Sequence, residues 1–233
     1  MMSNFFFFSF FFPCPQFLLN QLEFAGNYSW VWSESFSMSS ADLFKKFTLQ
    51  NVAQIANSSH REQMQVRHDL AEQYPQLADF WEDIMPRKSD IMLVRCHDQV
   101  HCVTLVSAQP EVLFFNHHSG PYIPHLKLLH KYPFILQRHQ VDVGACKHVL
   151  SGANIMCPGL TSKGGYITPE IPAGQLVAVY VETKEHAVAI GKTLMSSEEI
   201  KKVNSGPCIE NIHHVGDGLW MNRVLSASHI GAR

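Results

Sequence analysis

The stretch VDVGACKHVLSGANIMCPG, Val141 to Gly159, decides how this chain is read. Asp142 is placed to cap a helix whose Val143, Cys146, Val149 and Leu150 share one face. Lys147 and Ser151, four residues apart, lie together on another face. Gly152 suits the left-handed position that closes a helix. Lys147 and His148 stand in the last turn, where the helix dipole favours cations. Ala153 to Met156 is short and apolar, and Cys157-Pro158-Gly159 turns the chain.

Downstream, Gly164-Gly165 marks a loop, and Gln175–Val181 reads as a strand with Val177, Val179 and Val181 alternating. The polar turn Glu182–Glu185 leads into a second strand, His186–Met195. Ser196-x-x-Glu199 is a capping box opening a helix with Ile200 and Val203 inward and Gly206 after it. Ile209–Val215 and Leu219–Val224 flank Gly216-Asp217-Gly218, a hairpin signal. Short strands with small helices over 137–224 predict a compact, mostly-β pseudo-barrel.

Upstream, 38–136 reads as a small α+β domain. Ser59-x-x-Glu62 is a capping box. Val66, Leu70 and Tyr74 then repeat at helical spacing until Pro75. Leu77, Phe80, Trp81 and Ile84 predict a second amphipathic helix ending at Pro86. Ile91–Cys96, Val100–Val106 and Glu111–Asn116 read as strands, followed by a short helix around Leu126 and Leu129 that stops at Pro133. The segment LKLLHKYPFILQRHQ, Leu126–Gln140, gathers Lys127, Lys131 and Arg138 among Tyr132 and histidines. It suits either a solvated connector or a phosphate-contacting strip.

Residues 1–37 differ from the rest. They hold no Lys or Arg and carry a Phe-rich run over 5–12. The run lacks the basic flank of a signal peptide. It is also shorter than the about 20 residues that span a bilayer. The expectation is a poorly ordered or mis-annotated extension, with Met38 the natural start and 225–233 a tail.

Charge is balanced: nine Lys/Arg against ten Asp/Glu over 38–136, eight against eight over 137–224, and a net charge of −2 overall. No global positive field draws the protein to nucleic acid, so any RNA contact must be local or partner-assisted. Six scattered cysteines without a CxxC read as reduced thiols of a cytosolic protein. No phosphate-binding GxxxxGK[ST], GxSxG or HExxH occurs, and no GxGxxG follows a strand. Cys96-His97 and His101-Cys102 could offer metal ligands. In strands, however, successive side chains point to opposite faces and do not converge. No catalytic residue, cofactor or metal is expected.

VDVGACKHVLSGANIMCPGLTS resembles the opening of a PUA domain: Val-Asp-x-Gly-Ala, a helix, then Gly-Ala-x-x-Met-x-Pro-Gly. Together with LFKKF (43–47), IMPRK (84–88), LVRCHD (93–98), LLHKYPFIL (128–136) and IENIHHVGDGLW (209–220), the chain from Leu43 to Trp220 resembles the malignant-T-cell-amplified-sequence family. The resemblance implies a cytoplasmic, non-enzymatic translation factor. It implies a density-regulated-protein-like partner and action on the small ribosomal subunit, in reinitiation and in tRNA release and subunit recycling. The chain departs from the family at 1–37, after Trp220, and at the Pro-containing loop Thr168–Pro172. The alternatives are an RNA-modification enzyme or its accessory subunit, for which the first domain is too small, and a pure protein-interaction module. The candidate RNA contacts are Lys127, Lys131, Arg138, Lys147, Gly152, Asn154, Met156, Pro158 and Gly159, facing ribosomal RNA or a tRNA acceptor end. The first domain would supply an apolar, aromatic docking surface for the partner.

Overall fold

The computed structural model describes residues 43–107 and 110–222. The expectations placed on 1–37, on Met38 and on 225–233 lie outside the described residues. Among the described residues the fold is α+β, with two five-stranded sheets.

The first sheet holds β1 (Val52–Asn57), β2 (Ile91–Cys96), β3 (Val100–Leu105), β4 (Val112–His117) and β5 (Ile123–Pro124), in that order and all antiparallel. Between β1 and β2 run α1 (His60–Gln73) and α2 (Trp81–Ile84), and α3 (Leu126–Lys131) follows β5. The capping box at α1 is present: Glu62 N–H donates to Ser59 Oγ at 3.3 Å, and Ser59 N–H donates to Glu62 Oε2 at 2.8 Å. Val66 and Leu70 of α1 are buried, as is Tyr74, which ends it. The second expected helix is shorter than its pattern. Pro75–Phe80 winds as a 3-10 helix before the four residues of α2. Leu77 and Ile84 are buried, while Phe80 and Trp81 are half-buried.

Strand β1 is absent from the sequence reading. Its residues Val-Ala-Gln-Ile-Ala-Asn alternate weakly, and its pairing with β2 carries a bulge between Val52 and Gln54. The neighbour makes it a strand, not its own propensity. Asp98 and Gln99 join β2 to β3 with φ of 59° and 58°, the doubly left-handed geometry of a tight hairpin.

The second sheet runs β6 (Gln137–Val141), β8 (Leu176–Val181), β9 (Ala189–Thr193), β10 (Pro207–His214), β7 (Ile155–Met156). The β6–β8 pair is parallel and the others are antiparallel. Its helices are α4 (Cys146–Leu150), α5 (Cys157–Thr161), α6 (Ser197–Val203) and α7 (Gly218–Met221). The capping box of α6 is present, with Ser196 N–H donating to Glu199 Oε2 at 2.8 Å.

Several expectations are corrected here. Leu126–Gln140 is not a solvated connector: Leu126, Leu128, Leu129, Tyr132, Ile135 and Leu136 are core, and the segment forms α3, a 3-10 turn and β6. Cys157-Pro158-Gly159 does not merely turn the chain but opens α5, with proline in the first turn where no N–H is needed. Val203 is exposed rather than inward; Asn204 takes the left-handed position closing α6, and Gly206 follows the helix as expected, with φ of 78°. The expected hairpin after Gly216 does not form within the described residues. Asp217 instead caps α7, its Oδ1 accepting from Trp220 N–H at 2.8 Å. An Asp in extended backbone before a short apolar run serves a helix as well as a turn.

Strand β8 joins the two sheets. Val177, Val179 and Val181 pack with Val141, Val149, Ile155 and Leu160 in a core enclosed by the second sheet. The alternate residues Ala178 and Tyr180 belong to the other core, with Phe44, Phe115 and Leu126. Both faces of β8 are therefore buried. Phe44 and Phe47 close the seam: Gly218 N–H donates to the Phe44 carbonyl at 2.8 Å. A β-carbon at Gly218 would lie 2.2 Å from the Phe47 carbonyl oxygen, so only glycine permits this approach. Among the described residues no helix is long and apolar enough to cross a membrane.

Candidate nucleic-acid interface

The opening segment 141–159 is held from behind. Asp142 N–H donates to the Gly159 carbonyl at 3.0 Å, and its Oδ1 accepts from Ala145 N–H at 2.8 Å. Ser162 donates its hydroxyl to Asp142 Oδ2. That hydrogen bond, with backbone N–H donors, holds the carboxyl below its ordinary range against the opposing effect of burial. Asp142 thus ties the end of β6 to both α4 and α5.

The helix after Asp142 differs from its sequence pattern. Val143–Ala145 is a 3-10 turn and α4 is only five residues long. The change of winding rotates the expected apolar face. Val149 alone is buried, Cys146 is half-buried, and Val143 and Leu150 are 50% and 38% exposed. Lys147 is exposed one turn from each, so a cation sits between two uncovered apolar side chains.

Gly152, Asn154 and Gly159 act inward. Gly152 is buried with φ of 84°. Asn154 Oδ1 accepts from Asn211 N–H at 3.1 Å. A β-carbon on Gly159 would meet that of Ala145 at 3.4 Å, an ordinary van der Waals contact, so α5 packs closely on the 3-10 turn that precedes α4. Met156 and Pro158 face outward, with Met156 50% exposed. Cys157 between them is fully buried, its thiol donating to the Ser205 carbonyl at 3.3 Å.

Asn211 is the residue that sequence reasoning missed. It is buried on β10, and its Nδ2 donates to the carbonyls of Val149 at 3.0 Å and Ala153 at 3.2 Å. It pins the end of α4 and the loop to β7. A lone asparagine inside an apolar strand is the available sequence signal, but the carbonyls that its Nδ2 reaches lie about sixty residues away in sequence.

The other cations stand on separate elements. Arg138, on β6, lies over the Tyr180 ring at 5.0 Å and donates to Gln140 Oε1 at 3.0 Å. Lys127 and Lys131, both on α3, lie over Trp220 at 5.4 Å and Tyr132 at 5.1 Å. Lys147, Met156 and Pro158 are the candidates of the 141–159 segment that the structure leaves exposed. The α3 lysines instead border a cleft of about 320 Å³ that also carries Asp83 and Glu111.

His139, beside Arg138, is fully buried and accepts Thr168 N–H at 3.3 Å. Burial depresses its pKa to about 4. At the seam, the buried His213 and Asp217 pair at 2.7 Å. Burial works against the Asp217 carboxylate, but the adjoining imidazole and three hydrogen bonds hold it below its ordinary range. Cys96 is buried and hydrogen-bonded to the Cys102 thiol, while His97 is exposed. Among the described residues no three His, Cys, Asp or Glu converge as metal ligands.

Residues 44–133 match the pre-PUA-like domain family and residues 137–215 the PUA domain family. The chain is 45% identical over 182 residues to Malignant T-cell-amplified sequence 1 of Danio rerio, spanning 76% of this chain and 97% of that one. It is 46% identical over 180 residues to Translation machinery-associated protein 20 of Saccharomyces cerevisiae, with the same coverage. Among solved structures, a hypothetical protein of Pyrococcus horikoshii superposes with a TM-score of 0.56 at 21% identity, covering 73% of this chain and all of that one. A conserved PUA domain protein of Thermoplasma acidophilum gives 0.51 at 20%, covering 73% of this chain and 99% of its own. These two show a shared fold. The two adjoining domain matches and the level of identity along nearly the whole of the relatives establish that the chain belongs to the malignant T-cell-amplified sequence family.

Proposed function

We propose that this protein is a non-enzymatic, RNA-binding translation factor of the cytoplasm. A pre-PUA unit occupies 38–136 and a PUA unit 137–224. It acts with a density-regulated-protein-like partner on the small ribosomal subunit, in reinitiation and in tRNA release and subunit recycling. The observation that carries the reading is the 141–159 segment. It is anchored from behind by Asp142 and Asn211 and presents Lys147, Met156 and Pro158 outward. A backbone held this way offers a shaped surface with one local cation, suited to ribosomal RNA or a tRNA acceptor end recognised by shape and phosphate contact. Arg138 extends it. The family's ties to the translation machinery, carried in the name of the yeast relative, support the setting.

Few phosphates can be neutralised by so few cations, so RNA affinity without the partner is expected to be weak and salt-sensitive. The test is co-sedimentation of purified small ribosomal subunits with the full chain and with Lys147→Ala. Lys147→Ala should weaken binding severalfold and reduce the salt slope by about one. Nanomolar, salt-insensitive binding to free RNA would overturn the reading, and turnover of tRNA would favour an enzyme.

A further inference from the structure

The α3 lysines stand apart from the 141–159 segment and border a cleft of different character. Its floor is apolar, with Ile84, Leu105, Leu113 and Leu128. Leu105 and Leu113 are half-exposed there. Tyr132 forms one wall and continues into an aromatic shelf. Its ring centroid lies 5.5 Å from that of Phe80 and 6.1 Å from that of Phe134, and Phe80 and Phe134 are 5.1 Å apart. Phe134 is 47% exposed at the outer edge of this shelf. Three clustered rings with one left uncovered, beside an apolar cleft, form the kind of centre on which protein interfaces concentrate their energy.

The charges at the rim discriminate between occupants. Lys127 and Lys131 stand on the α3 side, and Asp83 stands on the α2 side with Glu111 at the start of β4. Asp79 and Glu82, both exposed, add to the acidity around α2. A phosphate backbone needs a net positive track, and this rim carries both signs. A polypeptide with both signs can satisfy both sides. The volume of about 320 Å³ suits one or two large side chains.

We propose that the cleft between α2 and α3 docks a segment of a partner protein. The segment places one large apolar or aromatic residue on the floor against Tyr132 and lays a second apolar group on the exposed Phe134 ring beyond it. It turns an acidic side chain to Lys127 and Lys131 and a basic one to Asp83. The proposal rests on the partner reading above and assigns its surface.

The experiment is calorimetric titration of the full chain with purified density-regulated protein, and separately with a single-stranded RNA oligonucleotide. The variants are Phe134→Ser, Lys131→Glu and Asp83→Lys. Phe134→Ser should weaken partner binding about 30-fold. Each charge reversal should weaken it about tenfold. RNA binding should be unchanged in all three. If the wild type binds and all three variants bind equally well, the cleft assignment is overturned and the partner reading stands. If the wild type does not bind, both fall. Loss of RNA binding with partner binding retained overturns the proposal in favour of a nucleic-acid site. Should Phe134→Ser fail to fold by circular dichroism, the two exposed charge reversals decide the matter.

Discussion

The two faces of β8 meet different cores. The valine face looks into a core built from residues of the second sheet and its helices. The other face, Ala178 and Tyr180, joins Ala187, Ile190, Ile212 and Leu219 in completing a core otherwise made by the first half. The second half thus encloses one core by itself, whereas the first half finishes its core on borrowed surface. The candidate RNA segment stands over the enclosed core. The proposed docking cleft stands beside the shared one.

The strongest test of that asymmetry is Phe44→Ala. Phe44 is 1% exposed and touches Phe47, Phe115 and His213, so it bridges the halves. Its truncation should cost about 3–5 kcal/mol. Hydrogen exchange should accelerate first in β2–β4 while β8 and β9 stay protected. Equal acceleration in both sheets would erase the distinction between the cores.

The next test is acid. His139, in the second half, has its pKa lowered from an ordinary 6.5 to about 4. The unfolded state therefore takes up a proton that the folded state refuses. This contribution is fully present above pH 6.5 and is lost as pH falls from there towards 4, on the order of 3 kcal/mol in all. His139→Phe should flatten the stability curve in that window. An unchanged acid slope, measured by urea unfolding at several pH values, would show that His139 does not carry it.

The smallest effect sharpens the comparison at the surface. Asn211→Ala removes the side-chain donor to the Ala153 carbonyl and one of the two donors to the Val149 carbonyl, which keeps Gly152 N–H, and should cost about 1–3 kcal/mol. It should weaken small-subunit binding while leaving partner binding intact, because the cleft lies on the other core. Parallel loss of both activities would mean the two surfaces are coupled.

Local patterns named much of this fold directly. Ser59-x-x-Glu62 and Ser196-x-x-Glu199 close their own hydrogen bonds within one turn, so four residues suffice to read a helix start. Strand β2 matched its expected bounds because its β-branched run is bracketed by polar turns. Strand β1, the inward role of Asn211 and the exposure of Val143 and Leu150 were not legible. Each depends on a partner remote in sequence or on how tightly a short helix winds. Of the candidate cations, Lys147 was placed by its own segment. The cleft beside Lys127 and Lys131 exists only because α2 and β4 are brought to α3.

The sequence by itself determined the family, the α+β class and the identity of the 141–159 segment. The family rests on residue identity along most of the chain, and the class and the segment on side chains acting on their own backbone within a few residues. Tertiary structure alone decided which residues of that segment face solvent, that β8 is buried on both faces, and that the α3 lysines stand opposite acids. Burial and charge complementarity arise between elements far apart in the chain, and no periodicity within one element encodes which neighbour will cover it.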